Sequence, residues 1–150
     1  MFNNLQVKTN FYLTVLRKNK IIKKIKTHNK VVNVGLTEIA RFLAGNPTNF
    51  RHIALGTGGS VSETATDTEL ETEVIRDTIT TRSMEGVGQM KFQYFLDTET
   101  GNTNTFDEAG LFDSSSNGLM LARATFEGIE KTEDDAWIVD WTFTAEEGVS

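Results

Sequence analysis

From Trp137 to Thr144 the side chains alternate strictly. Trp137, Val139, Trp141 and Phe143 fall on one side, and Ile138, Asp140, Thr142 and Thr144 on the other. Residues two apart share a face only on an extended chain, so this run specifies a strand with one buried face. The same period recurs in Met90, Phe92, Tyr94 and Leu96, in Met120, Ala122, Ala124 and Phe126, and in Phe11, Leu13 and Val15. Short strands separated by turn residues favour an antiparallel arrangement over a parallel α/β sheet. The expected fold class is all-β with one short helix. It is an antiparallel β-sandwich, Ig-like or jelly-roll-like, with about seven to nine strands in a single domain over residues 1–150.

The helix is expected at residues 34–44. Leu36, Ile39, Ala40 and Leu43 follow the i, i+3, i+4, i+7 spacing of a core-facing stripe. Asn33 is placed to cap its start and Gly45 to end it in the left-handed conformation. Pro47, the only proline in the chain, prevents it from resuming. Phe50 to Leu55 reads as a buried strand running into Gly56-Thr57-Gly58-Gly59, where positive φ would turn the chain. Phosphate loops begin in the same way. Here no Lys-Ser or Lys-Thr follows, and Ser60–Thr68 lacks the helical period that would supply a helix N-terminus. The polar loop leads instead to Glu69, Glu71 and Glu73, three carboxylates on one side of an extended segment reaching Thr80.

Charge divides the chain. Residues 1–37 hold eight of its 15 Lys and Arg and no acid, leaving seven bases with all 21 acids. The basic part reads as a β-hairpin over residues 10–30 with its turn at Arg17–Lys20. Ile21 and Ile25 face inward, and Lys24, Lys26 and His28 outward. Clustered lysines can grip phosphates, but no aromatics interleave on their face to stack bases. Lysines guarding an exposed sheet edge are the better account, and no nucleic-acid partner is expected. A positive patch on a negative body favours contact between copies. The expected interface residues are therefore Lys18, Lys20, Lys23, Lys24 and Lys26 against Glu69, Glu71 and Glu73.

Other chemistry is thinly represented. The chain has no cysteine, which excludes disulfides and thiolate metal sites. Its apolar runs are too short to span a membrane, and Phe11–Leu16 lacks the form of a signal peptide. Residues 97–108 place oxygen ligands around a glycine and a carboxylate, Glu108, at position twelve. The register does not fit a calcium loop, so a polar hairpin loop is expected. Ser114–Gly118 reads as a turn centred on Asn117-Gly118, and Glu130–Asp135 as a solvated loop. His28 and His52 read as strand-surface residues. With no nucleophile elbow and no HExxH, no catalytic residue and no cofactor is expected. Tyr12, Phe95 and Phe106 are the aromatics that could stack on a host-surface glycan.

Several strings together resemble small bacteriophage tail proteins. They are His28–Gly35, Ala44–Asn46, His52–Gly58, Thr66–Leu70, Glu73–Asp77, Glu108–Phe112, Ala122–Phe126 and Trp141–Thr144. The resemblance covers residues 28 to 144 and contains no catalytic signature. It implies a virion tail protein assembled in the host cytoplasm, a baseplate, collar or tail-fibre adaptor subunit. Other tail proteins and copies of itself would be its partners, and the alternatives are a carbohydrate-binding receptor-recognition module of the tail or a capsid or neck decoration protein.

Overall fold

The computed structural model describes residues 4–148. Among them are ten strands and one helix: β1 (Leu5–Arg17), β2 (Lys20–Thr27), β3 (Asn29–Val31), α1 (Asn33–Leu43), β4 (His52–Gly56), β5 (Glu73–Thr78), β6 (Thr81–Met84), β7 (Gln89–Leu96), β8 (Thr105–Phe112), β9 (Met120–Glu130) and β10 (Asp135–Glu147). All pairings are antiparallel and form two five-stranded sheets, ordered β2-β1-β10-β7-β6 and β3-β9-β8-β4-β5. The sandwich is as expected, with more strands than expected. The additional ones are short: β3 has three residues and β6 four, too few to display a period.

The spine is β1 against β10, paired from Leu5–Glu147 to Arg17–Asp135. This register sets Phe11, Leu13 and Val15 opposite Trp141, Val139 and Trp137. All six are buried, together with Tyr94, Leu96, Phe106 and Leu111 from the strands around them. The Trp141 indole meets Phe11 edge-on at 4.9 Å, and its Nε1 donates to Thr9 Oγ1 (3.0 Å) and Asn29 Oδ1 (3.2 Å). A buried Trp needs such a partner for its N–H.

Six expectations change. The return arm of the basic hairpin is two strands. After β2 the chain crosses at His28, and β3 joins the other sheet. A bulge between Val15 and Leu16 re-phases β2, so Ile21 faces Leu16 on the outer side and is 65% exposed, while Ile25, opposite Leu13, stays half-buried.

α1 starts at Asn33, with Val32 at the N-cap position and no side-chain cap, so Asn33 lies inside the first turn. Gly45 ends the helix at φ 80°, as expected. The apolar stripe is not buried, because α1 docks through Gly35. A Cβ there would collide with the Leu121 carbonyl of β9. That close approach rotates Ile39 towards the core and leaves Leu36, Phe42 and Leu43 exposed.

Finally, residues 97–104 cross between the sheets, since β7 and β8 belong to different ones, and do not close a hairpin. The 130–135 loop is not uniformly solvated either, for Lys131 and Asp135 are buried within it.

Candidate functional site: a clamped acidic loop and a basic edge

None of the glycines at 56, 58 and 59 adopts positive φ. They are small for a different reason. A Cβ on Gly58 would lie 2.7 Å from Glu108 Oε1 and inside the Glu71 side chain, and one on Gly59 would strike the Asp107 backbone. The corner lets backbone amides reach a buried carboxylate.

That carboxylate, Glu108 of β8, is fully buried. Its Oε1 accepts from the backbone N–H of Gly58 (3.0 Å) and Thr72 (2.8 Å), and its Oε2 from that of Glu71 (3.1 Å). Arg123 of β9, equally buried, donates Nε (3.1 Å) and Nη2 (2.8 Å) to Oε2. The same guanidinium reaches Asp67 Oδ2 through Nη1 (3.2 Å) and the carbonyl of Val61 through Nη2 (2.9 Å). A buried charge is tolerable only when paired and hydrogen-bonded at every lone pair, and this pair meets that condition. Leu70 adds an apolar anchor, packed with Val32, Ala54, Phe112 and Met120 on the outer face of the second sheet. Residues 57–72 are thereby held fast against β8 and β9, although they contain no regular structure.

Sequence reasoning missed this network. In the sequence Glu108 stands out as a possible cation ligand and within the Glu108–Phe112 string, and Arg123 only within the Ala122–Phe126 string, with nothing to join the two. Glu108 is committed to Arg123 and three amides. In the 97–104 loop, Asp97 Oδ1 already accepts from Glu99 N–H (2.9 Å) and Thr100 Oγ1 (2.8 Å). The buried Lys131 ammonium donates to Asn102 Oδ1 (2.8 Å) and the Thr132 carbonyl (3.2 Å). Burial holds its pKa below the usual lysine value. A lysine ammonium from the neighbouring segment therefore stands against this loop.

The clamp presents the three predicted glutamates, all exposed. They do not share a strand face, since β5 begins only at Glu73. Glu73 accepts from Arg76 (Nη2, 2.5 Å), whose Nη1 donates to the carbonyls of Ser114 (3.0 Å) and Asn117 (2.7 Å). The Arg76 guanidinium lies 3.7 Å over the Phe112 ring. Glu69 and Glu73 edge a pocket of about 470 Å³ above this stack. Glu71 points elsewhere, beside Asp67 and Thr68.

The basic residues are also exposed. Lys18 (φ 50°) and Asn19 (φ 64°) form the tight turn between β1 and β2. Lys20, Lys23, Lys24 and Lys26 lie along β2, an edge strand, with Lys26 Nζ 5.6 Å from the Tyr12 ring. β2 and β3 flank one side of the sandwich, while β5 and β6, joined through Ile79 and Thr80, flank the other. The β2 lysines and Glu73 of β5 therefore occupy opposite edges, with Glu69 and Glu71 in the loop clamped to β8, and none of these lysines pairs with any of these glutamates within one copy.

Of the possible glycan-stacking aromatics, Phe106 is a core residue edge-on to Trp137 at 5.6 Å, Tyr12 is half-buried, and Phe95 is 47% exposed. His28 is exposed where the chain changes sheet, and His52 is half-buried on β4. Among the described residues neither imidazole makes a hydrogen bond or an ion pair, and no three of His, Asp and Glu converge as a metal site would require. No described helix is long and apolar enough to cross a membrane.

Residues 26–140 match the family described as phage tail-collar fibre protein, N-terminal. No curated protein and no solved structure matches. The matched span runs from the last lysine of β2 into β10 and includes α1, the clamped loop and the buried ion pair. It covers well over half of the chain, which therefore belongs to the phage tail-collar fibre protein N-terminal family and is a structural protein of the phage tail.

Proposed function

We propose that this chain is a non-enzymatic adaptor subunit of the baseplate, collar or fibre attachment, and that it acts by binding copies of itself and adjoining tail proteins. The observation that carries the reading is the placement of opposite charge on opposite edges of a rigid sandwich. Lysines line β2, and Glu73 lies on β5 with Glu69 and Glu71 exposed on the clamped loop that leads into it. Such an arrangement suits head-to-tail contact, in which one copy's basic edge meets the next copy's acidic edge. When the rotation between copies closes, the product is a ring.

The Glu108–Arg123 clamp supports this reading. It fixes the acidic loop in advance, so little chain entropy is lost on contact. Each exposed charge pair contributes no more than ~1 kcal/mol, so the contact depends on several pairs acting together and weakens with salt.

Sedimentation velocity tests the proposal. At about 10 mM salt, where the screening length is ~30 Å, the protein should form assemblies that shrink at about 1 M, where it is ~3 Å. Reversing Lys20, Lys23, Lys24 and Lys26 to Glu should abolish the low-salt assembly. Mixing that variant with Glu69→Lys/Glu71→Lys/Glu73→Lys should restore it. A particle whose size responds to neither salt nor charge reversal would refute the head-to-tail contact.

A further inference from the structure

The docking of α1 through Gly35 leaves a groove of about 280 Å³ between the helix and the open end of the core. Ile39, Phe42 and Leu43 form one wall, and Phe50, Met90 and Phe143 the other. The polar groups at its edge are already engaged, since the buried Glu38 carboxylate is bonded by Thr48 and lies 3.5 Å from Arg41. Phe42 and Leu43 remain 64% and 75% exposed.

Beside the groove stands the β6–β7 turn, Glu85–Gly88. Met84 pairs with Met90 across the ladder and so lies on the same sheet face as the groove wall. Three residues before Met90, Val87 is fully exposed at the apex of the turn, between Gly86 (φ 133°) and Gly88 (φ 67°). A β-branched residue gains nothing from such a turn within its own chain, where polar residues are the usual choice. The flanking glycines leave it standing clear as an apolar knob.

We propose that this face is a two-fold self-contact, in which the Met84–Val87 turn of one copy seats in the α1–β7 groove of a second copy, and reciprocally. An isologous contact requires knob and hole on a single surface, and the register places them there. Phe42, Leu43, Met84 and Val87, with Leu36 at the margin, expose on the order of 500 Å² of apolar surface. That is near the upper end of what a monomer leaves bare. With a polar rim it approaches the ~800 Å² per partner of a stable interface. The rim carries both signs, Arg41 on the helix beside Glu38 and Glu85 on the turn beside Lys91 and Ser83, so reciprocal docking can join these two local pairs into a mixed-charge rim.

The proposal does not depend on the charge contact between edges, and high salt separates the two. At about 1 M salt exposed charges are screened within ~3 Å, and light scattering at tens of micromolar should still give a dimer. Val87→Asp and Phe42→Asp should each give a folded monomer, with the melting temperature lowered only by the stabilisation that the dimer contact supplied, since both side chains are exposed in the single copy. The chain has no cysteine. Mixing Val87→Cys with Leu43→Cys and oxidising should therefore yield a disulfide-linked pair of the two different variants. A monomeric wild type at high salt would overturn the proposal. Uptake of an apolar dye by that monomer, lost in Phe42→Asp, would assign the groove to another occupant. A dimer that survives Val87→Asp would overturn it equally.

Discussion

Replacing Glu108 by Gln is the most informative single perturbation of this molecule. The carboxylate accepts three backbone N–H groups and two guanidinium N–H groups in a site closed to water. The amide offers one acceptor oxygen and turns an NH₂ towards these donors, leaving the Arg123 charge with only Asp67 as an ionic partner. Each buried donor left unsatisfied costs about 1–3 kcal/mol. The full sum is not reached, because the 57–72 loop can lift away and hydrate its amides. The loss should therefore match that of breaking one buried ion pair, about 3–5 kcal/mol, a large share of the 5–15 kcal/mol typical of a domain.

The paired variant Glu108→Leu/Arg123→Met sharpens the test. Exchanging a buried ion pair for apolar residues is often neutral. Here Gly58, Glu71 and Thr72 would still lack an acceptor, so about 3 kcal/mol of destabilisation should remain. Urea unfolding measures both losses, and amide exchange at those three positions reports whether the loop has opened. A paired variant as stable as the wild type, with the three amides still protected, would show that the ion pair does not hold the loop.

Trp141→Ala should cost about 3–5 kcal/mol, from lost burial and the cavity it leaves; Trp141→Phe should cost about 1 kcal/mol or more by orphaning Thr9 and Asn29. Thermal melts of the two variants separate packing from hydrogen bonding, and a small shift for Trp141→Ala would refute its place in the core. Gly58→Ala should cost about 1–3 kcal/mol through overpacking against Glu108 and Glu71, whereas Gly45→Ala, with open space around its Cβ position, should suffer only the left-handed backbone penalty; equal losses would refute close approach as the reason for the corner glycines. Hydrogen bonds from Arg17 hold the Asp135 carboxyl below the usual carboxylate range despite its burial. Its folded pKa is thus lower than its unfolded value of ~3.9, so its contribution to stability is complete above that value and disappears as the pH falls through the lower one. Acid melts should show a shallower decline for Asp135→Asn, and identical slopes would exclude Asp135 as a source of acid sensitivity.

What the sequence disclosed was local and what it concealed was relational. The alternation in β7 and β10 marks the buried faces correctly because strand period and burial coincide on a half-buried sheet. In β9 it holds for Ala122, Ala124 and Phe126 but not for Met120, which an irregularity in the β8–β9 ladder sends to the outer face, and Leu121 and Arg123 are buried as well. The turns at Lys18-Asn19 and Asn117-Gly118 were equally legible, since each depends on residues that tolerate positive φ. Leu36 and Leu43 misled because a 3.6-residue stripe reports a helical face and not what covers it. Gly35, read as an ordinary helix residue, sets the rotation. Ile21 misled because one bulge reverses the phase of a strand. Phe106 misled because an aromatic among polar residues carries no mark of burial. Glu108 and Arg123 were illegible as a pair. They are fifteen positions apart, and the amides that complete the site lie about fifty and thirty-five positions upstream.

The pairing of β1 with β10 along their whole length has a mechanical consequence. Leu5 and Glu147 are adjacent, and the amide of Gly148 donates to the carbonyl of Asn4. Tension applied across these two neighbouring points would part the strands one rung at a time, as a zip opens, at low force. The same tension between Leu5 and Asp135, at the opposite end of the seam, would have to slide many rungs at once. These paired strands should therefore bear load well along their length and poorly across their own seam, which can be measured by pulling single molecules from the two pairs of anchor points.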